Sequence, residues 1–301
     1  MPFNDLMAAL LVVLVWGVNF VVIKWGVGDL PPLLLGALRF MLAALPAGWL
    51  IARPALPWRY VLAYGLTMGV GQFGLLFSAM AYGMPAGLAS VVLQSQAFFT
   101  LLLAGLWLKE RWQLNHLLGM LCASVGLWLI ASTHGANMTM TGFVLTLLAA
   151  LCWAMSNLVV RHASQSGYRP NTLALVVWGS LVPPLPLLAL SLLLEGPARI
   201  GEGLAGLSWR GGFAVIYLAL VATLLGYSLW SRLLTRHPAG RVAPFSLLVP
   251  AVGLLSASWL LDERLSSPQM TGSALVLAGL IVHVSGGSFL ARLRTRRMPE
   301  V

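Results

Sequence analysis

Long apolar runs alternate with short polar interruptions along nearly the whole chain. The runs cover about 6–25, 33–52, 60–81, 87–108, 113–131, 141–161, 171–194, 211–232, 242–261 and 268–290. Each is close to the roughly 20 residues that an α-helix needs to cross the apolar part of a bilayer. Most interruptions are short, so consecutive helices should pack antiparallel. The pattern predicts an all-α polytopic membrane protein with ten transmembrane helices.

The composition places this helical protein in a lipid bilayer. Hydrophobic residues make up 59% of the chain and charged residues 9%, with a mean hydropathy of +0.88. Such a chain cannot supply the polar shell of a soluble protein. The net charge of +10 comes from basic residues in short loops and a tail, without the basic helix or stacking module of a nucleic-acid binder. We therefore expect no nucleic-acid partner.

Cys122 and Cys152 lie inside apolar runs and are predicted to be packing residues.

The positions of lysine and arginine predict the orientation. If both termini are cytoplasmic, the inner loops and tail contain Arg53, Arg59, Lys109, Arg111, Arg161, Arg169, Arg232, Arg236, Arg241, Arg292, Arg294, Arg296 and Arg297. The outer side then has Lys24, Arg199, Arg210 and Arg264. Positive charges concentrate in cytoplasmic loops of membrane proteins. The pattern predicts a multi-pass membrane protein with both termini in the cytoplasm.

The chain contains an internal repeat. The segment Pro85–Arg111 returns as Pro238–Arg264, shifted by 153 positions without a gap, with the tripeptide PAG at its start and ER at its end in both copies. A shift of 137 relates the first two spans of each half and carries Trp16 to Trp153. Each half has five spans, and an odd number forces the second half to enter from the opposite side. We predict inverted five-helix repeats at 1–134 and 135–291 and a basic tail at 292–301.

Four segments resemble a known family of transporters. They are VWGVNFVVIK at Val15–Lys24, PPLLLGALRF at Pro31–Phe40, MPAGLASVVLQSQAFFT at Met84–Thr100 and RVAPFSLLVPAVGLLSASWLLDER at Arg241–Arg264. They are similar to the EamA-type branch of the drug/metabolite transporter superfamily, and within it to exporters of O-acetylserine and cysteine. The resemblance implies a multi-pass carrier of the bacterial inner membrane that exports small amino-acid metabolites by alternating access. Carriers of the same fold for other amino acids, purines or drugs are the alternative.

The fourth span carries polar side chains that need a partner or a cavity. Ser90 and Gln94 share one helical face, whereas Gln96 and Thr100 point about 200° away from Gln94. We therefore expect only one of the two glutamines to face the centre, and we choose Gln94. Under the repeat this face corresponds to the region of Pro250, where a kink would free carbonyls for a cavity. The alternative is that both glutamines only join neighbouring helices.

Two further pairs of residues are candidates for a substrate pocket. Trp16 and Asn19 lie three apart on one face of the first span, and Trp153 and Asn157 occupy the related segment of the sixth. Tryptophans would form apolar walls and amides fixed polar groups. The alternative is that these side chains only pack and join helices. Weaker candidates are Tyr64, Tyr217, Tyr227, Gln72, Trp178 and Ser246, of which we include Tyr227 and Ser246 in the predicted site. The ten predicted site residues are Trp16, Asn19, Arg39, Ser90, Gln94, Trp153, Asn157, Tyr227, Ser246 and Pro250.

Arg39 is the one permanent charge inside a predicted span. It lies about 9 Å along the helix from Leu33, at the outer end of the second span. The side chain therefore has two possible positions. It either extends to the membrane surface or presents its guanidinium to a substrate carboxylate.

The sequence lacks the residues of several other mechanisms. The acidic residues are Asp5, Asp29, Glu110, Glu195, Glu202, Asp262, Glu263 and Glu300, all at span ends, in loops or at termini. We therefore expect no proton relay through a buried carboxylate. The chain has no GxxxxGK[ST], HExxH or GxSxG motif and no cluster of metal ligands. These absences predict a carrier without cofactor or metal. A monomer and a homodimer are both compatible with the sequence. A lipid-modifying enzyme and a channel are the competing classes.

Overall fold

The computed structural model describes residues 1–110, 112–135, 138–169 and 171–295, and these fold into α-helices connected by turns. Ten apolar helices follow one another as α1 (Phe3–Asp29), α2 (Pro32–Leu50), α3 (Trp58–Ala81), α4 (Ala86–Trp107), α5 (Leu114–Ala131), α6 (Met140–Gln165), α7 (Thr172–Leu194), α8 (Trp209–Arg236), α9 (Ala239–Ser246 continuing as Val249–Leu260) and α10 (Ser267–Thr295). Within the described ranges nine are long and apolar enough to cross a membrane, and the apolar part of α2, Pro32–Ala44, is shorter. The predicted all-α polytopic fold is confirmed.

Two details differ from the sequence prediction. The loop at 195–210 contains a short helix, Pro197–Ala205, with no buried residue. Helix α10 continues to Thr295, so the helix includes part of the predicted tail, and residues 296–301 lie outside the described residues. We call the face where α1 begins the N-terminal face and the face where α1 ends at Asp29 the opposite face.

The repeat appears in the irregular parts of the helices as well as in the sequence. A π-helical segment occupies Gly65–Phe73 in α3, and another occupies Tyr217–Leu225 in α8. Helix α4 has a 3₁₀ turn at Leu93–Ser95, and α9 is interrupted between Ser246 and Val249. The shift of 153 superposes both pairs of irregularities to within one residue. The two halves therefore share local geometry at the middle of the bundle, where a π-helix changes which carbonyls are bonded within the helix.

The π-helical part of α3 packs against an interruption in α7. Helix α7 consists of Thr172–Gly179 and Pro184–Leu194, with turns between them. At Gly69 an added Cβ would lie 1.9 Å from Cγ of Pro183. Only glycine allows this approach, because a real Cβ would overlap the proline ring. The contact joins α3 of the first half to α7 of the second.

Helices α5 and α10 are in close contact through paired glycines. An added Cβ at Gly119 would lie 2.5 Å from the carbonyl oxygen of Gly279, and the reverse distance is also 2.5 Å. Gly126 and Gly272 form the same reciprocal contact about two helical turns away. Small residues allow two backbones to approach in this way inside a membrane. The pairs are related by the shift of 153, so each helix supplies its repeat-related glycines.

Gly279→Ala is therefore expected to destabilise the bundle by about 1–3 kcal/mol, because the new methyl group overlaps the Gly119 carbonyl. The measurement is thermal unfolding in detergent. The control is Gly28→Ala in α1, where nothing lies within 4 Å of an added Cβ. Equal unfolding temperatures for the two variants would contradict the close packing of α5 and α10.

The described acidic side chains lie at helix ends or in the short loop helix. On the opposite face, Glu195 accepts hydrogen bonds from the backbone N–H groups of Leu33 at 2.8 Å and Leu34 at 3.4 Å, at the start of α2. Asp29 accepts from the N–H of Gly211 at 3.0 Å in the first turn of α8. Negative charge is favourable at a helix N-terminus, where N–H groups have no partner within the helix. These two carboxylates therefore hold neighbouring helices together.

Candidate functional site

A cavity of about 570 Å³ lies between helices of the two halves, a size typical of small-molecule sites. Its lining includes Arg161, Thr172 and Leu234, which lie near the ends of α6, α7 and α8 at the N-terminal face. Towards the opposite face the bundle is filled by side chains that are fully or almost fully buried, among them Leu30, Met80, Met84 and Leu88. The cavity therefore extends from the middle of the bundle to the N-terminal face.

Eight of the ten residues predicted for the site line this cavity. They are Trp16, Asn19, Arg39, Gln94, Trp153, Asn157, Tyr227 and Ser246. They come from α1, α2, α4, α6, α8 and α9, and thus from both halves. Helices that are distant in sequence are therefore brought to one cavity by the packing of the two repeats.

Ser90 and Pro250 do not contribute to the lining and lie behind it. The Ser90 hydroxyl donates to the carbonyl of Gly87 at 2.6 Å and also lies 3.3 Å from the carbonyl of Pro250. Both residues are buried where α4 crosses α9. The Pro250 carbonyl thus faces Ser90. The expected carbonyl-lined surface at this proline is absent from the described cavity.

Both Gln94 and Gln96 line the cavity, so the expectation that only one glutamine faces the centre is wrong. The 3₁₀ turn at Leu93–Ser95 explains the difference. In a regular α-helix the two positions are about 200° apart around the axis, which is about 160° when measured the shorter way. Three residues per turn reduce this separation to about 120°. A broad cavity can then contact both side chains.

The second glutamine belongs to a hydrogen-bonded group that joins α4 to α6. Asn157 donates through Nδ2 to Oε1 of Gln96 at 2.9 Å and to Oγ1 of Thr100 at 3.2 Å. The Thr100 hydroxyl in turn donates to the backbone carbonyl of Gln96 at 2.7 Å. All three residues line the cavity. The group fixes three polar side chains on one part of the wall.

Arg39 is 2% exposed and does not extend to the membrane surface. Its Nη2 donates to Oγ1 of Thr223 at 3.0 Å, and its Cζ lies 3.8 Å from the centre of the Phe73 ring. Thr223 lies in the π-helical part of α8 and Phe73 in that of α3. A cation over an aromatic face is stabilised electrostatically, which explains why the guanidinium remains inside the bundle.

Two donors of this guanidinium have no partner among the described residues. Nε and Nη1 of Arg39 are buried without a hydrogen bond, and so are two acceptors, Oδ1 of Asn19 and Oε1 of Gln72. All three residues line the same cavity. Buried polar groups normally have partners because an unpaired group loses its hydration. The residues of the cavity wall thus carry cationic donors and neutral acceptors that have no partner among the described residues and that neighbouring atoms cover in this conformation.

Aromatic rings form an apolar part of the wall. Trp16 donates through Nε1 to the carbonyl of Ala222 at 3.0 Å, inside the π-helical part of α8. Its ring centre lies 5.2 Å from that of Tyr227 and 5.4 Å from that of Trp230. The hydrogen bond and the two ring contacts fix the orientation of the indole. The wall can therefore contact the apolar part of a small molecule without rearrangement.

Several contributors to the site were not chosen from the sequence. Phe73 and Thr223 hold the guanidinium, and Gln96 and Thr100 bind Asn157. Gln72 was only a weaker candidate. Gln72 had a signal, since a glutamine in an apolar run needs a partner or a cavity. Phe73 had none, because one more aromatic residue in a membrane helix is ordinary. In the described parts of the chain, no group of three His, Cys, Asp or Glu side chains is arranged to hold a metal ion.

The model of the EamA-like transporter family matches residues 5–132 and 140–285, one match in each half. The chain belongs to the EamA-like transporter family. This transporter is 49% identical over 300 residues to a probable amino-acid metabolite efflux pump of Salmonella typhimurium, covering 99% of this chain and 98% of the relative. It is 46% identical to a protein of the same description from Escherichia coli, covering 94% and 95% of the two chains.

A solved structure, described only as the crystal structure of a protein, shares the fold. It covers 100% of both chains with a TM-score of 0.61 at 19% identity. The family assignment makes the chain a transporter of the membrane and not an enzyme, and places its cavity in a transport protein.

Proposed function

We propose that this chain is an inner-membrane carrier that exports a small zwitterionic amino-acid metabolite, such as O-acetylserine or cysteine, by alternating access. The observation that carries the proposal is that Arg39 has unpaired donors and Asn19 and Gln72 have unpaired acceptors among the described residues, and that all three residues line one cavity. The descriptions of the Salmonella and Escherichia relatives, both probable amino-acid metabolite efflux pumps, support the substrate class.

A zwitterion matches this set of groups in charge and in hydrogen bonding. Its carboxylate would accept from Nε or from Nη1 of Arg39, which lie on different edges of the planar guanidinium. Its ammonium has only donors and would bind Oδ1 of Asn19 and Oε1 of Gln72. A zwitterionic ligand would pair its carboxylate with the positive charge of Arg39. A neutral apolar ligand would leave all of these groups without partners, at a cost in free energy.

The remaining lining residues would surround the side chain of the substrate. Trp16, Trp153 and Tyr227 supply apolar surface, and Gln94 and Ser246 supply polar groups. We propose these five residues as substrate contacts. Ser90 and Pro250 act on substrate only through the contact between α4 and α9.

Alternating access follows from the two related halves. Inverted repeats allow two similar conformations, one open to each face, around a site near the midplane. The described conformation has its cavity towards the N-terminal face. In the other conformation the same side chains would be reached from the opposite face. We propose that the halves 1–134 and 135–291 are the two units whose conformations interchange when the cavity changes from one face to the other.

Transport by purified protein in liposomes tests this function. We expect saturable uptake of labelled O-acetylserine and acceleration by unlabelled substrate inside the vesicle, since a carrier returns faster when loaded. Flux that does not saturate would indicate a pore. Formation of a product without flux would indicate an enzyme. Either of these results, or transport of only non-zwitterionic compounds across a substrate panel, contradicts the proposal.

The orientation predicted from the basic residues stays a prediction with its own test. We expect both termini in the cytoplasm, because Lys and Arg concentrate in the loops of that face. The cavity would then be open to the cytoplasm, where an exporter takes up substrate. Reporter fusions to the C-terminus measure this directly. Activity of a reporter that functions only outside the cytoplasm would overturn the orientation.

A further inference from the structure

Glu263 binds the start of α4 on the opposite face. Its Oε1 accepts from the N–H of Ala86 at 2.7 Å and its Oε2 from the N–H of Gly87 at 2.9 Å. Both oxygens of one carboxylate thus bind the first turn of a 22-residue helix, where free N–H groups favour negative charge. Gly87 is buried there, and an added Cβ would lie 3.3 Å from side-chain atoms of Ala257 and Leu254.

The repeat-related carboxylate on the N-terminal face is in a different position. The shift of 153 relates Glu263 to Glu110 and Gly87 to Gly240. Glu110 accepts a hydrogen bond from Nη1 of Arg161 at 2.9 Å, and both side chains are partly exposed. Gly240 is exposed, and nothing lies within 4 Å of an added Cβ. Gly240 therefore lies on the N-terminal face, where the cavity opens, and no described neighbour requires a glycine at this position.

The cation that binds Glu110 also has a counterpart. The shift of 137 relates Arg161 on α6 to Lys24 on α1. Lys24, near the end of α1 on the same face as Glu263, donates to the carbonyl of Met80 at 3.0 Å. Each face therefore has a carboxylate with two available partners, a helix N-terminus and a basic side chain. In the described structure Glu263 binds a helix N-terminus, whereas Glu110 binds a basic side chain.

We propose that Glu263 and Glu110 are the two gate carboxylates of the transport cycle, each exchanging a basic side chain for a helix N-terminus when its face closes. When the N-terminal face closes, Glu110 leaves Arg161 and binds the N–H groups of Ala239 and Gly240. When the opposite face opens, Glu263 leaves α4 and pairs with Lys24. The inference rests on alternating access from the proposed function.

The exchange explains the residues that the two halves have in common. The tripeptide PAG and the dipeptide ER are identical in both copies of the repeat. PAG lies at the start of α4 and of α9, and ER contains Glu110 in one copy and Glu263 in the other. Each carboxylate keeps a partner in both conformations, so neither conformation leaves a carboxylate unpaired. Two conformations close in free energy are what a carrier needs for turnover.

Spin-label distances test the exchange without any substrate. Trp107 with Thr235 reports the N-terminal face, and the repeat-related pair Leu260 with Tyr82 reports the opposite face. All four positions are exposed. Labels are introduced at these positions after Cys122→Ala and Cys152→Ala, since both native cysteines are free. The distances do not depend on O-acetylserine, so a wrong substrate leaves this test intact.

Glu263→Gln is expected to shift the populations about tenfold towards a longer Tyr82–Leu260 distance and a shorter Trp107–Thr235 distance. Glu110→Gln should shift them the other way, because the exposed pair with Arg161 contributes little compared with the helix contact that is lost. The control is Glu202→Gln, an exposed carboxylate on the short loop helix. Shifts no larger than those of Glu202→Gln, or shifts of both gate variants in one direction, would overturn the proposal.

Gly240→Val tests the unexplained glycine. Valine fits in the described conformation, where nothing is close, but would meet the side chains that close the N-terminal face. We expect this variant to retain the longer Trp107–Thr235 distance, with the closed population reduced at least about tenfold. Gly201→Val, at an exposed helical glycine that also has nothing within 4 Å, is the matched control. Equal closed populations in the two valine variants would show that Gly240 takes no part in closure.

Discussion

Arg39→Gln is expected to weaken binding of a zwitterionic substrate by about 10- to 150-fold, because hydrogen bonds to a charged group contribute about 1.5–3 kcal/mol. Glutamine keeps one donor for Thr223 but removes the cation and the two free N–H groups of the guanidinium. The substrate carboxylate would then be buried opposite a neutral amide. Equilibrium binding of labelled O-acetylserine to protein in detergent measures the loss.

The control for this substitution is Arg199→Gln, on the exposed short helix. It removes the same charge far from the cavity lining and should leave affinity unchanged. Thermal unfolding separates a binding defect from a folding defect, since loss of the Phe73 contact also affects stability. A folded Arg39→Gln variant with the affinity of the parent would show that the guanidinium is only structural.

Asn157→Leu is expected to lower substrate affinity by about 5- to 30-fold, through removal of a donor worth about 1–2 kcal/mol from the cavity wall. Leucine leaves Oε1 of Gln96 and Oγ1 of Thr100 without their shared partner. The glutamine is then free to turn, and the wall loses its fixed polar arrangement. Binding of O-acetylserine is the measurement.

A double-mutant cycle with Gln96→Leu distinguishes a connected group from two separate contacts. If the two amides act together, the double variant should lose about as much affinity as either single variant. Additive losses would show that each side chain contacts substrate independently. An unchanged affinity in all three variants would place the substrate elsewhere in the cavity.

The sequence was sufficient for the architecture because its signals are periodic and repeated. Apolar runs of the right length predicted all ten helices, and the shift of 153 predicted that the two halves are related. Hydrocarbon forces this regularity, since every backbone group in it must be bonded internally. The same constraint made Arg39, Asn19 and Asn157 stand out as residues in need of a cavity.

The orientation of individual side chains could not be predicted in the same way. Gln96 faces the cavity because of one 3₁₀ turn, and no feature of its immediate sequence specifies that turn. Ser90 left the predicted lining because α9 passes close enough for its hydroxyl to meet a carbonyl. Arg39 remained inside because Phe73 and Thr223 arrive from other helices. These outcomes depend on packing between helices, which the pattern of one helix does not contain.

The π-helical segments connect the fold to the site. Gln72, Phe73, Ala222 and Thr223 all lie in them, and each contacts the cavity or a residue that lines it. The Thr223 hydroxyl donates to the carbonyl of Leu218, five residues earlier, and still accepts from Arg39. A wider helical turn exposes such groups towards the bundle interior. The two halves thus place their irregular segments where the substrate is proposed to bind.

Binding of matched ligands tests the central claim most directly, because it removes the carboxylate from the ligand and the guanidinium from the protein in turn. The parent should bind O-acetylserine at least about tenfold more tightly than its methyl ester, which has no carboxylate. In Arg39→Gln this preference should disappear, with the ester bound as by the parent. If Arg39→Gln instead keeps the full preference for the free acid, the carboxylate binds elsewhere and the account of the cavity is wrong.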